Sequence, residues 1–477
     1  MDRARAINEL SAITQVRADD DGTVPETYLT GGRGEHGAAL AVVAPQSTEE
    51  VQAIIRYAID HKLRIVPQGA RTGLVGGTVP EEKDADTTII LSLERFKQRC
   101  DYSAADERIV VDAGYSLSEV NEFLKPFGVC VAIDVSSDPL VGGMAATNIA
   151  GSRVVRYGDF RDLCVGIEVV LADQATSIYS SINRPRKSNS QLNFTELFVG
   201  SFGKLGIITS VALSVHPIVE KTQTAWLPVN DGVDLSELLS FIKKESGEAL
   251  LACEFISAEA LRALAESDSQ KQSRITVPYK HDGLDVIFVE WGSALPGFDV
   301  DLFMERVLTT MLDKGLIDDA TDVEPAKTWD LRHRLSEAVQ HSGAKLIGCD
   351  VSAMCDRVGD LRSLAREAVD AIDPRLEVCD FGHLGDGGFH MNVVVHDEVY
   401  EEWLAAGFAD EKAYEVRLAV SEVADSLGGS FSAEHGLGAF NAKIAEKLGD
   451  PTIRRISEEV VRVFNPFNVL GHEGIQL

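Results

Sequence analysis

The strongest constraint on the fold is a predicted strand–helix–strand unit that leads directly into a glycine-rich segment. Residues 41–45 favour a short strand, and Ser47 with Glu50 forms a capping-box pair at a helix start. Apolar residues then recur at helical spacing, at Val51, Ile54, Ile55, Ala58 and Ile59. Residues 65–67 begin a second strand, which ends in the glycine-rich run 68–77. This order is typical of a domain that mixes strands and helices.

Two halves of the chain differ in their pattern. The first half alternates strands with helices, and the change comes near Pro217. We predict further strands over 88–93, 108–111, 165–172 and 206–215, with a helix over 117–124. The second half has long helices over 235–245, 258–266 and 302–314, separated by strands such as 286–291 and 392–396. A last helical run is predicted between Gly429 and Val463.

The charge balance limits the classes of partner. The 477 residues include 45 Lys and Arg and 75 Asp and Glu, which gives a net charge of −30. A chain with this net negative charge is not expected to bind nucleic acid or an anionic membrane as its main activity. No apolar stretch has the length of a signal peptide or a membrane helix, so we predict a cytoplasmic protein. The seven cysteines form no C-x-x-C pair, which favours reduced, buried thiols.

A second glycine-rich segment, residues 142–151, lies about 70 residues after the first. The first segment lacks the G-x-G-x-x-G pattern of a Rossmann nucleotide site. Glycine and other small residues nevertheless let backbone N–H groups approach phosphate oxygens closely. Either segment alone could be an ordinary tight turn. The two together predict a large cofactor held between them.

Two histidines in the segment 381–392 suggest a metal site. His383 and His390 are seven residues apart, with the favoured hairpin dipeptide Asp386-Gly387 between them. A two-residue turn there would pair 383 with 390 and place both imidazoles on one face. Asn392 would share that face. The alternative is a pair of hydrogen-bonded structural histidines.

Two other segments carry candidate functional groups. In the segment 432–438, Glu434 could supply an oxygen ligand to a metal, which leaves the neighbouring His435 for another role. In the helical segment 329–336, Arg332 and Ser336 are four residues apart and share one face. An arginine there could hold a carboxylate through two hydrogen bonds. The alternative is a solvated helix face.

Four motifs resemble those of one flavoprotein superfamily. Residues 68–80, 141–151, 156–158 and 200–209 are similar, in order and spacing, to motifs of the vanillyl-alcohol oxidase/p-cresol methylhydroxylase superfamily. Within it the chain resembles most the FAD-dependent D-2-hydroxyacid dehydrogenases, especially the D-2-hydroxyglutarate dehydrogenases. The resemblance implies an α+β fold. It would comprise a two-subdomain FAD-binding domain of the p-cresol methylhydroxylase type and an α+β substrate cap with an antiparallel sheet.

The resemblance also implies a domain order. We expect an N-terminal extension over 1–37, an FAD-binding domain over 38–217 and a substrate cap over 218–425. Residues 426–477 would return to the FAD-binding domain. The implied FAD contacts are Gln68, Gly69, Ala70, Arg71, Thr72, Gly73, Gly76, Gly77, Val141, Gly142, Gly143, Ala146, Thr147, Asn148, Gly151, Ser152, Gly206, Ile207 and Asn465. Residues 67–80 contain no His or Cys for a covalent flavin link, so we expect dissociable FAD.

The resemblance assigns roles to the candidate site residues. It implies that His383, His390 and Glu434 bind Zn²⁺, with Mn²⁺ or Fe²⁺ as alternatives. His435 would be the catalytic base, whereas Asn392, Arg332 and Ser336 would contact the substrate.

Four positions depart from the family pattern. Phe202, Lys204 and Phe467 replace residues that lie near the cofactor in the family. Gly348 stands where hydroxyglutarate enzymes usually carry a lysine, and Lys345 lies nearby but out of register. Either Lys345 substitutes for the missing cation or the substrate has a different distal group.

The expected reaction is oxidation of an (R)-2-hydroxy acid to the 2-oxo acid, with hydride transfer to flavin N5. The substrate would be of the D-2-hydroxyglutarate, D-malate or D-lactate type. An electron-transfer flavoprotein or a quinone would then accept the electrons, and a homodimer is left open. Two alternatives are an FAD-containing transferase of the alkylglycerone-phosphate synthase type and a degenerate flavin-binding protein without turnover.

Overall fold

The computed structural model describes residues 3–19, 23–32, 35–230, 232–270 and 283–472, with all side chains there except those of 268–270 and 439–440. The chain forms two compact units. Unit 1 comprises Met1–Gly151, Tyr157–Ile218 and Glu434–Leu477. Unit 2 comprises Ser152–Arg156 and Val219–Ala433.

Unit 1 begins with a four-stranded sheet, in the order β1-β2-β4-β3. Its elements are α1 (Arg3–Ser11), β1 (Gln15–Arg17), α2 (Glu26–Leu29), β2 (Ala41–Ala44), α3 (Thr48–His61), β3 (Arg64–Gln68) and β4 (Thr88–Ser92). Strands β2, β4 and β3 are parallel, and β1 is an antiparallel edge. The Ser47 side chain caps α3 by accepting a hydrogen bond from the Glu50 N–H. The predicted strand–helix–strand unit is confirmed.

A five-stranded antiparallel sheet follows in the same unit, in the order β5-β6-β10-β8-β9. The strands of this part are β5 (Cys100–Ser103), β6 (Arg108–Asp112), β7 (Val129–Cys130), β8 (Cys164–Val170), β9 (Ile178–Ser180), β10 (Ile207–Ser214) and β11 (His216–Pro217). The helices are α4 (Leu117–Leu124), α5 (Val141–Thr147), α6 (Val154–Tyr157), α7 (Phe160–Leu163) and α8 (Thr195–Phe198). Apolar side chains of α4, α5, α7 and α8 pack on this sheet.

Unit 2 contains a seven-stranded sheet, in the order β15-β12-β14-β13-β19-β20-β17. The strands of the unit are β12 (Thr222–Val229), β13 (Leu250–Ile256), β14 (Asp285–Gly292), β15 (Thr321–Val323), β16 (Lys345–Ile347), β17 (Asp350–Ser352), β18 (Glu377–Val378), β19 (Phe381–Gly382), β20 (Gly388–His390) and β21 (Val393–Val395). Every pairing in the seven-stranded sheet is antiparallel, as predicted for the cap.

The helices of unit 2 cover both faces of this sheet with apolar side chains. They are α9 (Leu235–Ser246), α10 (Ala258–Gln270), α11 (Val300–Asp313), α12 (Pro325–Gln340), α13 (Val358–Ile372), α14 (Asp397–Ala406) and α15 (Ala409–Ser426). The predicted helices over 235–245, 258–266, 302–314 and 329–336 are confirmed, with bounds that differ by a few residues.

The C-terminal helical run is not continuous, in contrast to the prediction. The structure has α16 (Gly438–Leu448) and α17 (Pro451–Phe464), separated by Gly449 and Asp450. The Asp450 side chain accepts hydrogen bonds from the N–H groups of Thr452 and Ile453 and so begins a new helix. None of the described helices is both long and apolar enough to cross a membrane.

Candidate functional site

The first glycine-rich segment follows β3 in unit 1, and Gln68 marks its start. Gln68 is buried, and its Nε2 donates to the carbonyl oxygens of Tyr28 at 3.0 Å and Thr78 at 2.9 Å. Its Oε1 atom is buried and accepts no hydrogen bond from the described residues. Because buried acceptors are normally satisfied, this oxygen fits a donor on a bound ligand.

The two glycine-rich segments are neighbours in unit 1, as predicted. A Cβ atom added to Gly69 would lie 3.6 Å from Leu140 and 3.8 Å from the Cα of Gly143. A Cβ at Gly73 or at Gly143 would meet no atom of the described residues within 4 Å, so those residues leave open space beside the two glycines. This cradle fits a large flat cofactor. Ala70, Arg71, Thr72, Gly76 and Gly77 belong to the first segment, and Arg71 holds its guanidinium 5.2 Å from the centre of the Tyr28 ring.

The second segment is a short helix rather than a loop, since residues 141–147 form α5. Asn148 ends this helix in a left-handed conformation, with φ of 52°. Its side chain donates to Asp159 at 2.7 Å and accepts from the N–H of Arg161 at 2.9 Å. The side chain of Asn148 therefore fixes the turn that leads towards Gly151.

Several predicted flavin contacts also have a packing role in unit 1. A Cβ at Gly142 would lie 2.6 Å from that of Ala113, and one at Gly206 would overlap the Val169 side chain. Gly151 is packed against the backbone of Asp134 in the same way. Val141 and Ile207 are fully buried in the core. Ala146 accepts a hydrogen bond from the Phe202 N–H and Thr147 donates to Gly143, so both hold the helix in place.

Asn465 braces the C-terminal end of unit 1. Its Nδ2 donates to the carbonyl oxygens of Lys204 and Leu470, each at 3.2 Å. Its Oδ1 accepts from the N–H groups of Val469 at 3.0 Å and Leu470 at 3.4 Å. These four bonds fill the capacity of the amide. We therefore propose that Asn465 acts on the cofactor site by holding this backbone.

Phe202 packs on the segment that carries His435. Its ring occupies the place that a Cβ of Gly436 would take, and both residues belong to unit 1. Phe202 itself adopts a left-handed conformation, with φ of 49°. Phe202, which departs from the family pattern, therefore packs against Gly436.

In unit 2 the histidine hairpin has a different register from the one predicted. Phe381, and not His383, lies opposite His390 in the β19–β20 pairing. The carbonyl oxygen of His383 accepts hydrogen bonds from the N–H groups of Asp386, Gly387 and Gly388. The turn is therefore wider than two residues, and the predicted pairing of 383 with 390 is wrong.

The two imidazoles are nevertheless close. The ring centroids of His383 and His390 are 5.4 Å apart, and each ring offers a nitrogen within 4.8 Å of the other. The register differs from the prediction by two residues, and a two-residue shift keeps a side chain on its face of the sheet. The geometry of this pair fits two ligands of one divalent ion.

Each histidine faces a carboxylate on the next strand. The His383 Nδ1 lies 2.7 Å from Oε1 of Glu254 on β13. The His390 Nδ1 lies 3.8 Å from Oδ1 of Asp350, its partner on β17. Carboxylates in these positions orient metal-binding imidazoles in many proteins.

Arg332 belongs to the same buried cluster. Its Nε donates to Oε2 of Glu254 at 2.6 Å, and its guanidinium carbon lies 4.9 Å from the centre of the Phe381 ring. Glu254 is 1% exposed, so its charge must be balanced by its neighbours. Burial alone raises the pKa of this carboxyl, but the charges and hydrogen bonds of His383 and Arg332 lower the pKa to about 2. The 2.7 Å distance fits a His383 Nδ1–H that donates a hydrogen bond to the Glu254 carboxylate.

Glu434 directly follows unit 2 in the chain. The N–H of Ala433, the last residue of unit 2, donates to the carbonyl oxygen of Asp350 at 3.2 Å. Asp350 is the strand partner of His390. This hydrogen bond holds the last residue of unit 2 against the strand that pairs with His390.

The remaining predicted substrate contacts differ in exposure. Asn392 is buried two residues after His390, in the turn between β20 and β21, where its N–H donates to the His390 carbonyl oxygen at 2.9 Å. A Cβ at Gly348 would lie 3.6 Å from the Asn392 Oδ1. Ser336 is exposed, although Arg332 one turn earlier is buried, so only Arg332 joins the buried cluster.

Two buried glutamates were missed from the sequence. Glu290 on β14 pairs with Arg153, and it accepts a hydrogen bond from the Trp329 Nε1 at 3.0 Å. Arg153 comes from the short segment of unit 2 that also contains Ser152, a predicted flavin contact. Glu254 and Glu290 each interrupt an apolar strand, LLACEFI and DVIFVEWG. A charged residue in such a run is the signal that could have revealed them, because buried charges need partners.

Comparison with known proteins supports a flavin site. A family model described as an FAD binding domain matches residues 39–176. A second, described as the C-terminal domain of FAD linked oxidases, matches residues 218–472, more than half of the chain.

Two curated relatives match most of the chain. The mitochondrial D-2-hydroxyglutarate dehydrogenase of Rattus norvegicus is 29% identical over 449 residues, which cover 92% of this chain and 78% of the relative. The corresponding protein of Danio rerio is 30% identical over 408 residues, which cover 84% of this chain and 72% of the relative.

Solved structures share the fold. An alkyldihydroxyacetonephosphate synthase superposes with a TM-score of 0.69 at 16% identity, over 98% of this chain and 84% of that one. A substrate-bound p-cresol methylhydroxylase gives a TM-score of 0.66 at 16% identity, over 99% and 97%. The chain therefore belongs to the family of FAD-linked oxidases that includes the D-2-hydroxyglutarate dehydrogenases, and it has the predicted α+β fold of the p-cresol methylhydroxylase type.

Proposed function

We propose that this protein oxidises an (R)-2-hydroxy acid to the 2-oxo acid, with FAD and a divalent metal as cofactors. The substrate is of the D-2-hydroxyglutarate, D-malate or D-lactate type. The curated relatives are named for the first of these, which supports the reaction class.

The residues of each unit fit their proposed cofactor. Gln68 and the open space beside Gly73 and Gly143 support an FAD site in unit 1. His383 and His390, with Glu434 as the third ligand, are the proposed metal ligands, and Zn²⁺ suits such a nitrogen and oxygen set. When bound, FAD would accept the hydride at N5 and the metal would act as a Lewis acid on the hydroxyl.

Side chains of this protein would position the substrate and remove its hydroxyl proton. Arg332 would hold the substrate carboxylate through its terminal nitrogens and so orient the reacting C–H bond. Asn392 and Ser336 would add polar contacts. His435, adjacent in sequence to Glu434, would take the hydroxyl proton as general base.

The observation that carries this proposal is the cluster of the buried residues His383, Glu254 and Arg332 with the half-buried His390. It combines a nitrogen pair suited to a divalent ion with a cation suited to an acid. A structural role alone would not require two imidazoles to meet edge to face beside a buried carboxylate.

The test is reduction of the flavin under anaerobic conditions. Purified protein is mixed in turn with D-2-hydroxyglutarate, D-malate and D-lactate, with the L-enantiomers as controls, and the flavin absorbance is followed. Bleaching by a D-acid alone is the expected result. A flavin that no hydroxy acid reduces would instead favour the transferase or the degenerate flavoprotein.

Three further parts of the proposal concern the cellular setting. Reduced flavin would pass its electrons to an electron-transfer flavoprotein or a quinone, which steady-state assays with each acceptor can distinguish. A homodimer is testable by light scattering. The cytoplasmic location stays a prediction, which cell fractionation can test.

A further inference from the structure

Glu254 makes contact with both halves of the proposed substrate site in unit 2. Its Oε1 lies 2.7 Å from the Nδ1 of His383, and its Oε2 lies 2.6 Å from the Nε of Arg332. The neighbouring strand pairs Phe255 with Gly382, so the same register continued by one residue sets Glu254 opposite His383. The strand pairing thus places the Glu254 carboxylate beside His383.

The first contact decides which nitrogen of His383 can bind a metal. The His383 Nδ1 lies 2.7 Å from a carboxylate oxygen, so a neutral imidazole that donates a hydrogen bond to Glu254 has its proton on Nδ1. The other ring nitrogen, Nε2, then carries the lone pair that a metal needs. The same acceptor also fixes the plane of the ring.

The second contact fixes the guanidinium of Arg332. Glu254 occupies the Nε side of the group, and the Phe381 ring lies against it at 4.9 Å. A carboxylate of the substrate would then be recognised through the two terminal nitrogens. Phe381 is the strand partner of His390, so the ring that packs on Arg332 is part of the same hairpin as the two histidines.

We propose that Glu254 is a positioning residue that sets the distance between the metal-binding His383 and the acid-binding Arg332. This inference rests on the proposed function, since it assumes that those two residues bind the hydroxyl-bound metal and the carboxylate. Each carboxylate oxygen of Glu254 contacts one of these two residues, so we assign Glu254 no direct contact with substrate or metal. One carboxylate group keeps the two anchors of a 2-hydroxy acid at a constant spacing.

Glu290 provides a matched control. It lies one strand away on β14, is 1% exposed as Glu254 is, and is likewise paired with an arginine of unit 2. Its other partner is the Trp329 indole, and no contact joins it to His383 or Arg332 among the described hydrogen bonds. A general effect of removing a buried carboxylate would therefore appear in both variants.

The experiment compares Glu254→Gln with Glu290→Gln in the FAD-loaded protein. Metal affinity is measured by competition with a chromophoric chelator, and kcat and KM are measured separately. The glutamine amide can accept from only one partner and turns a donor towards the other. We expect Glu254→Gln to lose about 10–100-fold in metal affinity and to raise KM, whereas Glu290→Gln stays within about twofold of wild type.

The outcomes separate the inference from the proposed function. Wild-type metal affinity and KM in Glu254→Gln, or equal losses in both variants, would overturn the inference. A wild-type protein that binds no metal would instead overturn the metal part of the proposed function.

A second variant covers the case in which Glu254→Gln does not fold. Glu254→Asp keeps the charge but is one methylene shorter, so it cannot reach both partners at the present distances. We expect it to lose either metal affinity or substrate affinity by about tenfold, but to keep the other. If both are unchanged, the positioning role is rejected.

Discussion

Glu254 and His383 are 129 residues apart in the sequence and 2.7 Å apart in the fold, measured from Oε1 to Nδ1. The pairing of β13 with β19 brings them together. The histidine is thereby held by a strand that is buried throughout, with Cys253 and Phe255 in the core on one face of the sheet and Ile256 in the core on the other. Such a support favours a ligand set whose geometry is fixed before a metal binds.

Removal of the metal should abolish turnover and leave the flavin bound. The glycine-rich cradle belongs to unit 1, whereas His383 and His390 belong to unit 2. Dialysis against a chelator should therefore stop substrate-driven bleaching without loss of the flavin spectrum, and added Zn²⁺ should restore it. Fully active protein without stoichiometric metal, by elemental analysis, would disprove the metal site.

FAD should leave the protein on denaturation. Residues 67–80 contain no His or Cys that could form a covalent link, and the cradle is formed by backbone and small side chains. After acid precipitation the yellow colour should remain in the supernatant. Colour that stays with the pellet after repeated washing would show a covalent flavin.

The histidine pair shows how far sequence reasoning reached. The side-chain alternation of a strand predicts that His383 and His390 share a face for any hairpin whose turn holds an even number of residues. The predicted two-residue turn was wrong, because the turn is four residues wide, from Leu384 to Gly387. The prediction that both imidazoles lie on one face of the hairpin was right, because a register shift of two residues keeps each side chain on the same face.

The sequence patterns could not predict contacts between residues that are far apart in the chain. Nothing local in LLACEFI indicates that its glutamate contacts a histidine and an arginine from two other segments. The break between α16 and α17, by contrast, had a local signal in Gly449-Asp450-Pro451. The break was missed because apolar residues recur at helical spacing on both sides of it, and this spacing alone does not show where one helix ends and the next begins.

His435→Ala should slow flavin reduction more than it weakens substrate binding. Loss of a general base typically costs about 10²–10⁴-fold in rate. Stopped-flow reduction at saturating substrate measures this step directly. His396→Ala is the control, since His396 is half exposed and lies 3.0 Å from Glu377. Reduction of His435→Ala at the wild-type rate would remove this residue from the mechanism.

Gly436→Ala should destabilise the protein. Gly436 has φ of 80°, and the Phe202 ring occupies the place of its Cβ. We expect a loss of about 1–3 kcal/mol in the free energy of unfolding, measured by denaturant titration. Phe202→Leu in the same chain should recover part of that loss by removing the clash. No recovery would mean that backbone strain alone accounts for the effect.

Lys345→Ala should leave the preference among substrates unchanged. Lys345 is exposed in regular strand pairing with Val395, three residues or about 10 Å along the chain from Gly348. We therefore expect that Lys345 does not replace the lysine that the resemblance places near Gly348. We expect kcat/KM for D-2-hydroxyglutarate, D-malate and D-lactate to stay within about twofold of wild type. A loss confined to the dicarboxylates would contradict this.

Gly348→Lys is the converse experiment and identifies the distal group of the substrate. Among the described residues, a Cβ there has the Asn392 Oδ1 at 3.6 Å as its one neighbour within 4 Å, an ordinary contact, so the site accepts a Cβ without a clash. A hydrogen bond to a charged group contributes about 1.5–3 kcal/mol, which corresponds to roughly 10–150-fold in affinity. If the natural substrate lacks a second carboxylate, Gly348→Lys should raise kcat/KM for D-2-hydroxyglutarate relative to D-lactate by up to that factor. If the natural substrate is a dicarboxylate already held by other residues, the added cation should change this ratio little.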